Sequence, residues 1–370
     1  MSLLFQNVSK KYDDRVVLDD FNLEIKAGEI LAIYGESGAG LSTLASLLSD
    51  LDSPEEGKIL LEGKEVSASS PIACLYPNSQ LYAHLTLKDN FKAYLRNSPL
   101  KESLKEERIA LIGKRLQLTP LLDKKPNELT GGQYLRALIG KNLLDLPKVL
   151  VFDDALLKID GKTRTTFWKE IKKIRSDFAL MILFLTHYAP EAMHVGDRVA
   201  YLKCGRIAAC DKPENLYAQP MNIDVATAFA FPSISYLKAA YEKGRLLLKD
   251  TEIILNEETR KNHDLFYENA LKGLEEDSPS YLPYSRAKEE RHTLILGLHA
   301  EDILLEENGL FEGEVTIVEK RGSRFLIHLA FDGGEVLAFN EKEIPVASKA
   351  RFSFRKEKMF LFDPLSQKRI

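Results

Sequence analysis

A glycine-rich segment between an apolar run and a helix-forming run places the tightest constraint on this chain. The segment reads Gly35-Glu36-Ser37-Gly38-Ala39-Gly40-Leu41-Ser42-Thr43, and it directly follows Ile30-Leu31-Ala32-Ile33-Tyr34. This order predicts a strand, a glycine loop and a helix, in which backbone N–H groups converge on phosphate oxygens at the positive helix end. Ser42 is placed to ligate Mg²⁺. The sequence therefore predicts a phosphate-binding loop.

Position 41 of this loop departs from the motif. It holds a leucine where the motif has a lysine that contacts the β- and γ-phosphates. A neutral side chain cannot offset the charge of a transferred phosphoryl group in the transition state. We therefore expect the loop to bind phosphate but to support phosphoryl transfer poorly.

The length, the net charge and the cysteines limit the domain number and the partners that the chain can have. The 370 residues suffice for two or three domains, and the formal net charge of -4, without a long basic stretch, predicts no nucleic-acid partner. The N-terminus lacks a basic region followed by an apolar core, and no window approaches the roughly twenty apolar residues of a membrane span, so a cytoplasmic chain is expected. Cys74, Cys204 and Cys210 form no CxxC pair and are expected to be reduced.

The pattern of elements changes along the chain. Up to about Phe231, short β-like runs alternate with helical patterns, which predicts an α/β domain with a largely buried parallel sheet. Residues 88–145 are helical and highly charged and are expected to form a helical subdomain. Later residues show strand-type alternation with turn signals, which predicts a small β-barrel-like domain. The expected bounds are 1–235 and 236–370.

Five further elements follow in the order found in ATP-binding cassette (ABC) ATPases. Leu129-Thr130-Gly131-Gly132-Gln133 resembles their signature sequence, and Val149-Leu150-Val151-Phe152-Asp153-Asp154 resembles a Walker B motif. Asp160 resembles the D-loop aspartate, His187 the switch histidine, and Tyr12 the aromatic residue on which adenine stacks. Jointly they indicate an ABC-type nucleotide-binding domain with a P-loop.

The resemblance implies ATP and Mg²⁺ as ligands and gives each motif residue a role. Asp154 and His187 would be catalytic, and Ser42 and Asp153 would hold the metal ion. The nucleotide contacts would come from Tyr12, Gly35, Ser37, Gly38, Gly40, Leu41, Ser42, Thr43, Thr130, Gly131, Gly132 and Gln133.

The C-terminal part resembles a narrower group within these ATPases. Residues 222–229, 297–303 and 360–364 are similar to segments of sugar-importer ATPases of the maltose and glycerol-phosphate type. Ala300 and Asp224 depart from that group's pattern. The resemblance implies that the smaller, mainly β domain is a TOBE-type, OB-like regulatory domain.

The departures from the ABC pattern cluster where the γ-phosphate would lie. Besides Leu41, Pro77 stands where the Q-loop has a glutamine, and Gln80 is out of register. Asp154 replaces the glutamate that orients the attacking water and is one methylene shorter, and catalytic geometry tolerates little displacement. In the D-loop, Leu157 and Lys158 replace a serine and an alanine. The chain's own hydrolytic site is therefore expected to be impaired.

The resemblance also implies a dimer, because in ABC dimers each ATP sits between the Walker motifs of one subunit and the signature loop of the other. A chain with an impaired Walker site and an intact signature sequence is expected in a heterodimer with a second ATP-binding subunit. A homodimer that hydrolyses ATP slowly through backbone N–H groups and Mg²⁺ is the alternative.

Three functions remain open at this point. The first is the ATP-binding subunit of an importer for a carbohydrate or sugar phosphate, docked on membrane permease subunits through residues 77–91 at the cytoplasmic face of the membrane. The second is a fully active ATPase subunit for polyamine, iron or sulfate uptake. The third is a non-catalytic subunit that senses nucleotide or is structural.

Overall fold

A computed structural model describes residues 2–156, 161–272, 283–284, 291–332 and 334–370. The expected D-loop residues Leu157, Lys158 and Asp160 lie outside these ranges. The chain forms two compact units, Met1–Leu216 and Tyr217–Ile370, here called the N-terminal and C-terminal units. They divide upstream of the boundary expected at residue 235.

The N-terminal unit contains ten strands and seven helices in its described part, the last helix crossing the unit boundary. The strands are β1 (Ser2–Tyr12), β2 (Arg15–Lys26), β3 (Ile30–Gly35), β4 (Glu56–Leu61), β5 (Lys64–Glu65), β6 (Ile72–Leu75), β7 (Val149–Asp153), β8 (Met181–Thr186), β9 (Arg198–Lys203) and β10 (Arg206–Asp211). The helices are α1 (Leu41–Leu48), α2 (Leu87–Tyr94), α3 (Glu102–Arg115), α4 (Gly131–Leu143), α5 (Gly161–Phe178), α6 (Ala189–Val195) and α7 (Pro213–Ala218).

Two sheets organise this unit. The central sheet has the order β10-β9-β3-β8-β7-β6, and all of its neighbours are parallel except β10 and β9. Its inner strands are continuous apolar runs that are buried along almost their whole length, as parallel strands covered on both faces require. A second, antiparallel sheet of order β2-β1-β4-β5 was not predicted. Its β1–β2 hairpin is important for the site.

Helices α2, α3 and α4 occupy the segment expected to be helical. Thr86 begins α2, because its hydroxyl oxygen accepts a hydrogen bond from the Asp89 N–H at 3.1 Å. Gly140 on α4 allows the helices to approach closely, since a Cβ there would lie 3.1 Å from the Phe91 ring on α2 and 3.2 Å from Ile112 on α3.

The C-terminal unit is mostly β. Its further helices are α8 (Ile223–Phe229) and α9 (Glu257–Leu271). Its strands are β11 (Ser235–Glu242), β12 (Arg245–Leu248), β13 (Thr251–Ile254), β14 (His292–Leu298), β15 (Ile303–Leu305), β16 (Phe311–Arg321), β17 (Arg324–Phe331), β18 (Gly334–Asn340), β19 (Lys349–Phe354) and β20 (Phe360–Phe362). They form two five-stranded sheets, β13-β12-β11-β14-β20 and β15-β19-β16-β17-β18. Ala226 of α8 packs with Phe360 and Phe362, so this helix belongs to the C-terminal unit.

The fold class is thus a P-loop α/β domain followed by a mainly β domain. In the part of the chain that the structure describes, no helix combines the length and apolar character needed to cross a bilayer.

Candidate nucleotide-binding site

The glycine loop joins β3 to α1 as the sequence predicts. Gly38 has φ +81° and Gly40 has φ +110°, values that side-chain-bearing residues rarely adopt. Gly40 is the N-cap of α1, no side chain caps the helix, and its first turn has no acidic residue. The first N–H groups of α1 are therefore available to an external acceptor.

A cavity of about 210 Å³ lies against this loop. Three distant parts of the chain meet there, namely the β1–β2 hairpin, the loop with the start of α1, and the residue after β8. The lining residues are Tyr12, Arg15, Val17, Gly38, Gly40, Leu41, Ser42, Thr43 and His187. The structure therefore brings together most of the nucleotide-binding residues predicted for the Walker site. Of the other two, Gly35 contacts His187 through its carbonyl, and Ser37 lines a neighbouring cavity.

Tyr12 is held by its hydroxyl group and presents its ring. The hydroxyl donates to Asp52 Oδ2 at 2.8 Å and also hydrogen-bonds with the Thr43 side chain. Lys10 Nζ lies 5.2 Å from the ring centroid and binds Asp52 Oδ1 at 2.7 Å. Burial and the hydrogen bond to Asp52 raise the pKa of Tyr12. With 43% of the residue exposed, the ring is accessible to a planar partner.

Leu41 lies at the edge of the cavity but is packed into the core. Only 1% of the residue is exposed, and it belongs to the apolar cluster that includes Leu18 and Leu183. The position that carries a cation in the motif thus contributes apolar packing here. A lysine at this position would have to give up part of that packing to reach a phosphate.

Asp153 at the end of β7 fits a metal ligand. It is 4% exposed, and within the described residues its Oδ1 is buried without a hydrogen-bond partner. Burial and the neighbouring Asp154 carboxylate raise the pKa of Asp153 to about 6, and a hydrogen bond with Ser42 opposes this. A carboxylate with an unsatisfied oxygen beside a serine hydroxyl is the oxygen donor set that Mg²⁺ takes in P-loop sites. The residues present therefore fit Mg²⁺.

Asp154 and His187 contact each other. His187 Nε2 lies 3.3 Å from Asp154 Oδ2, and the His187 backbone N–H donates to Asp154 Oδ1 at 3.2 Å. His187 Nδ1 lies 2.6 Å from the carbonyl oxygen of Gly35, which can only accept, so Nδ1–H is the donor. These contacts fix both side chains at the base of the loop. They place the two predicted catalytic groups together.

The signature residues lie elsewhere in the unit. Thr130 is the N-cap of α4, where its hydroxyl accepts from the Gln133 N–H at 3.4 Å, and Gln133 Oε1 accepts from the Thr130 N–H at 3.0 Å. This capping box starts the helix at Gly131. A Cβ on Gly132 would meet only Thr163 Cγ2, at 3.8 Å. Within the described residues, neither packing nor a positive φ requires that glycine.

Pro77 does not line the loop cavity. With Gln80 and Gly131 it lines a second cavity of about 380 Å³ between the end of β6 and α4. Gln80 is held there through its carbonyl oxygen, which accepts from Lys141 Nζ at 3.1 Å.

Motif analysis missed two of the lining residues, Val17 and the charged residue Arg15, and Arg15 matters more for a phosphate ligand. It carries no motif of its own, and the only available signal is its distance of three residues from Tyr12 across a short turn. That spacing indicates a hairpin, whose paired residues share one face of the sheet.

Comparison with known proteins agrees with this geometry. A family model described as ABC transporter matches residues 18–157. The uncharacterised ABC transporter ATP-binding protein YurJ of Bacillus subtilis is 30% identical over 89% of this chain and 88% of its own length. The sn-glycerol-3-phosphate import ATP-binding protein UgpC of Ruegeria pomeroyi is 28% identical over 100% of this chain and 99% of its own.

A solved structure matches the N-terminal part of the fold. It is cbiO1 of Clostridium perfringens, part of the ABC transporter complex cbiONQ, which is 26% identical with a TM-score of 0.54 and covers 59% of this chain and 90% of that one. On the strength of the sequence relatives, with the fold and the site in agreement, the chain belongs to the ABC transporter ATP-binding proteins.

Proposed function

We propose that this chain is the ATP-binding subunit of an importer and that it binds Mg-ATP in the cavity at the glycine loop. The observation that carries the proposal is the convergence of Tyr12, the uncapped start of α1 and His187 on that cavity. Tyr12 would stack on adenine, and the α1 N–H groups would bind the phosphates. Ser42 and Asp153 would hold Mg²⁺, which neutralises phosphate charge when bound.

The proposed solute is a carbohydrate or a sugar phosphate. Support comes from the relative UgpC, which is named an sn-glycerol-3-phosphate import protein and matches the whole chain, C-terminal unit included. We propose that the C-terminal unit is a TOBE-type, OB-like regulatory domain. The docking surface for the permease would be residues 77–91, at the cytoplasmic face of the membrane.

The chain's own site would hydrolyse ATP slowly. Leu41 is turned into the core, Pro77 lies away from the loop cavity, and Asp154 is one methylene shorter than a glutamate. In the ABC pattern, the residues at these three positions act on the charge that develops on the γ-phosphate during hydrolysis. Loss of a single preorganised contact of this kind commonly costs about 10² to 10³ in rate.

The signature loop would instead serve a nucleotide held by another subunit. The space beside Gly132 supports this. The described residues leave that position open, and a glycine there would let an external phosphate approach the α4 N-terminus. In a heterodimer, a second ATP-binding subunit with the loop lysine would hold the hydrolysed ATP, and the signature loop of this chain would complete that site. A homodimer would carry Leu41 in both sites and turn over slowly.

Calorimetric titration of the full chain with Mg-ATP tests the binding step. We expect saturable binding, weakened by Tyr12→Ala because the stacking surface is lost. Phe231→Ala is a matched control, since it removes an exposed aromatic side chain that is not among the lining residues of the cavity. No binding of millimolar ATP would instead support a purely structural subunit.

The partner is tested on the membrane complex purified from the native host. Mass spectrometry should find permease subunits and a second ATP-binding subunit together with this chain. Two copies of this chain, no second ATP-binding subunit and vigorous hydrolysis would refute both the heterodimer and the impaired site.

A further inference from the structure

The β1–β2 hairpin places an arginine above the glycine loop. Tyr12 at the end of β1 pairs with Arg15 at the start of β2, and Asp13 in the turn between them has φ +51°. Directly opposed residues of an antiparallel pair project from the same face of the sheet. The side chain of Arg15 therefore lies on the same face as the Tyr12 ring, toward the cavity that both residues line.

Strand β2 is anchored on the loop immediately after this arginine. A Cβ on Gly40 would lie 3.1 Å from Leu18 Cδ2 and 3.1 Å from the Val17 carbonyl oxygen, so strand and loop are in close contact. Leu18 is fully buried. The backbone that carries Arg15 is thus fixed relative to the loop, although its side chain is exposed.

The guanidinium group itself reaches the loop. Arg15 Nη2 lies 3.1 Å from the position that a Cβ on Gly38 would occupy. A side chain at position 38 would be in tight contact with this group. The contact places a positive charge directly over the backbone that would bind the phosphates.

The charge of Arg15 is not neutralised within the chain. Across the described residues, the Arg15 side chain makes no hydrogen bond or ion pair, although Asp13 and Asp14 precede it in sequence. Lys10, which lies beside the Tyr12 ring, is bound to Asp52 at 2.7 Å. His187 faces Asp154 and Gly35. The guanidinium donors of Arg15 are therefore free to bind a ligand.

We propose that Arg15 binds the polyphosphate of the nucleotide and supplies, from the hairpin, the positive charge that Leu41 does not supply from the loop. A guanidinium group is always charged and presents paired N–H donors that match two phosphate oxygens. This role rests on the proposed binding of ATP in the same cavity. It also explains how a loop with a buried leucine in place of its lysine retains a cation for the ligand.

The test compares Mg-ATP affinity in full-length variants that differ in one charge. Charge-assisted hydrogen bonds predict that Arg15→Gln weakens ATP binding by roughly tenfold to a hundredfold. Arg15→Lys should recover part of this loss, because it keeps the charge and loses the paired donors. Lys11→Gln is the matched control. It removes one positive charge from the same hairpin, and Lys11 is 58% exposed and does not line the cavity.

Salt dependence separates a phosphate contact from a structural effect. Since added salt screens an exposed charge pair, ATP affinity of the natural chain should fall more steeply with NaCl than that of Arg15→Gln. Unchanged affinity in Arg15→Gln, equal losses in Arg15→Gln and Lys11→Gln, or identical salt dependence would each overturn the role of Arg15 while leaving ATP binding in place. No ATP binding by the natural chain would overturn both proposals together.

Discussion

Leu41→Lys, which restores the missing loop lysine, should make the nucleotide-free protein less stable. Leu41 is 1% exposed in the core, and full burial of a leucine contributes about 1.5 to 3 kcal/mol to the free energy of unfolding. A lysine at the edge of the cavity can keep part of its alkyl chain buried while its ammonium group reaches the cavity. We therefore expect a destabilisation of roughly 1 to 3 kcal/mol.

Mg-ATP should reverse part of this loss. The new ammonium group would gain a charge-assisted contact of about 1.5 to 3 kcal/mol with the phosphates. A ligand that binds only the folded state raises the free energy of unfolding by RT ln(1 + L/Kd), where L is the free ligand concentration. At equal ATP concentration, the variant should therefore gain more stability from nucleotide than the natural chain gains.

Trp168 allows the stability of the N-terminal unit to be measured separately from that of the C-terminal unit. It is the only tryptophan of the chain, and it lies on α5 of the N-terminal unit, where its indole N–H donates to Glu191 Oε1 at 3.3 Å. Urea unfolding followed by its fluorescence reports the unit that contains Leu41. The measurement is made with and without Mg-ATP.

Two substitutions at the same position calibrate the result. Leu41→Met conserves volume and should cost less than about 1.5 kcal/mol, whereas Leu41→Ala should cost roughly 2 to 5 kcal/mol. Leu41→Lys should fall between them without ATP. An unfolding midpoint equal to that of the natural chain, or an ATP-induced shift no larger than that of the natural chain, would refute this reasoning.

Three further results are expected. The triple variant Leu41→Lys, Pro77→Gln, Asp154→Glu should raise the rate of steady-state phosphate release by about 10² or more. Each single change should give less, because the three groups act as a unit. An unchanged rate in the triple variant would contradict an impaired site. Gly132→Asp should abolish ATPase activity of the membrane complex but leave ATP titration of the isolated chain unchanged, and retained activity would exclude a signature role in trans. Burial lowers the pKa of His263, so the unfolded state binds a proton first and the C-terminal unit should lose stability as pH falls below about 6.5. Calorimetric unfolding of the full chain across this range should show a smaller loss in His263→Gln, and an equal loss would refute the assignment to this residue.

Much of the N-terminal unit could be predicted because its signals are local. A continuous apolar run predicts a buried parallel strand, and the central strands β3 and β7 agree with the runs at 30–34 and 149–152 to within one residue. Thr130 and Gln133 form their capping box over four consecutive residues, so the start of α4 also lies in the local sequence. The antiparallel β1–β2 hairpin was not predicted, because its strands largely alternate buried apolar and more exposed residues and do not form a continuous apolar run.

The site required tertiary information at its most important positions. His187 meets Gly35 across 152 positions of sequence, and this contact exists only because β3 and β8 are neighbours in the sheet. The order of the motifs predicted that these residues share a site, but it could not give the distances. The fit of Asp153 to a metal ion likewise depends on its burial and on the neighbouring Asp154 carboxylate, and the motif alone does not show how buried Asp153 is.

Position 41 shows why a motif can mislead about charge. From the sequence, a leucine there predicts that the loop lacks a cation, because the motif places the cation at that position. In the structure, the side chain at 41 belongs to the core, and the guanidinium group of Arg15 stands over Gly38. What a phosphate would experience is the charge in the surrounding space, irrespective of which strand supplies it. If Arg15 binds the phosphates, Leu41→Lys should therefore raise ATP affinity more in an Arg15→Gln background than in the natural chain, and equal gains in both would show that the two positions act independently.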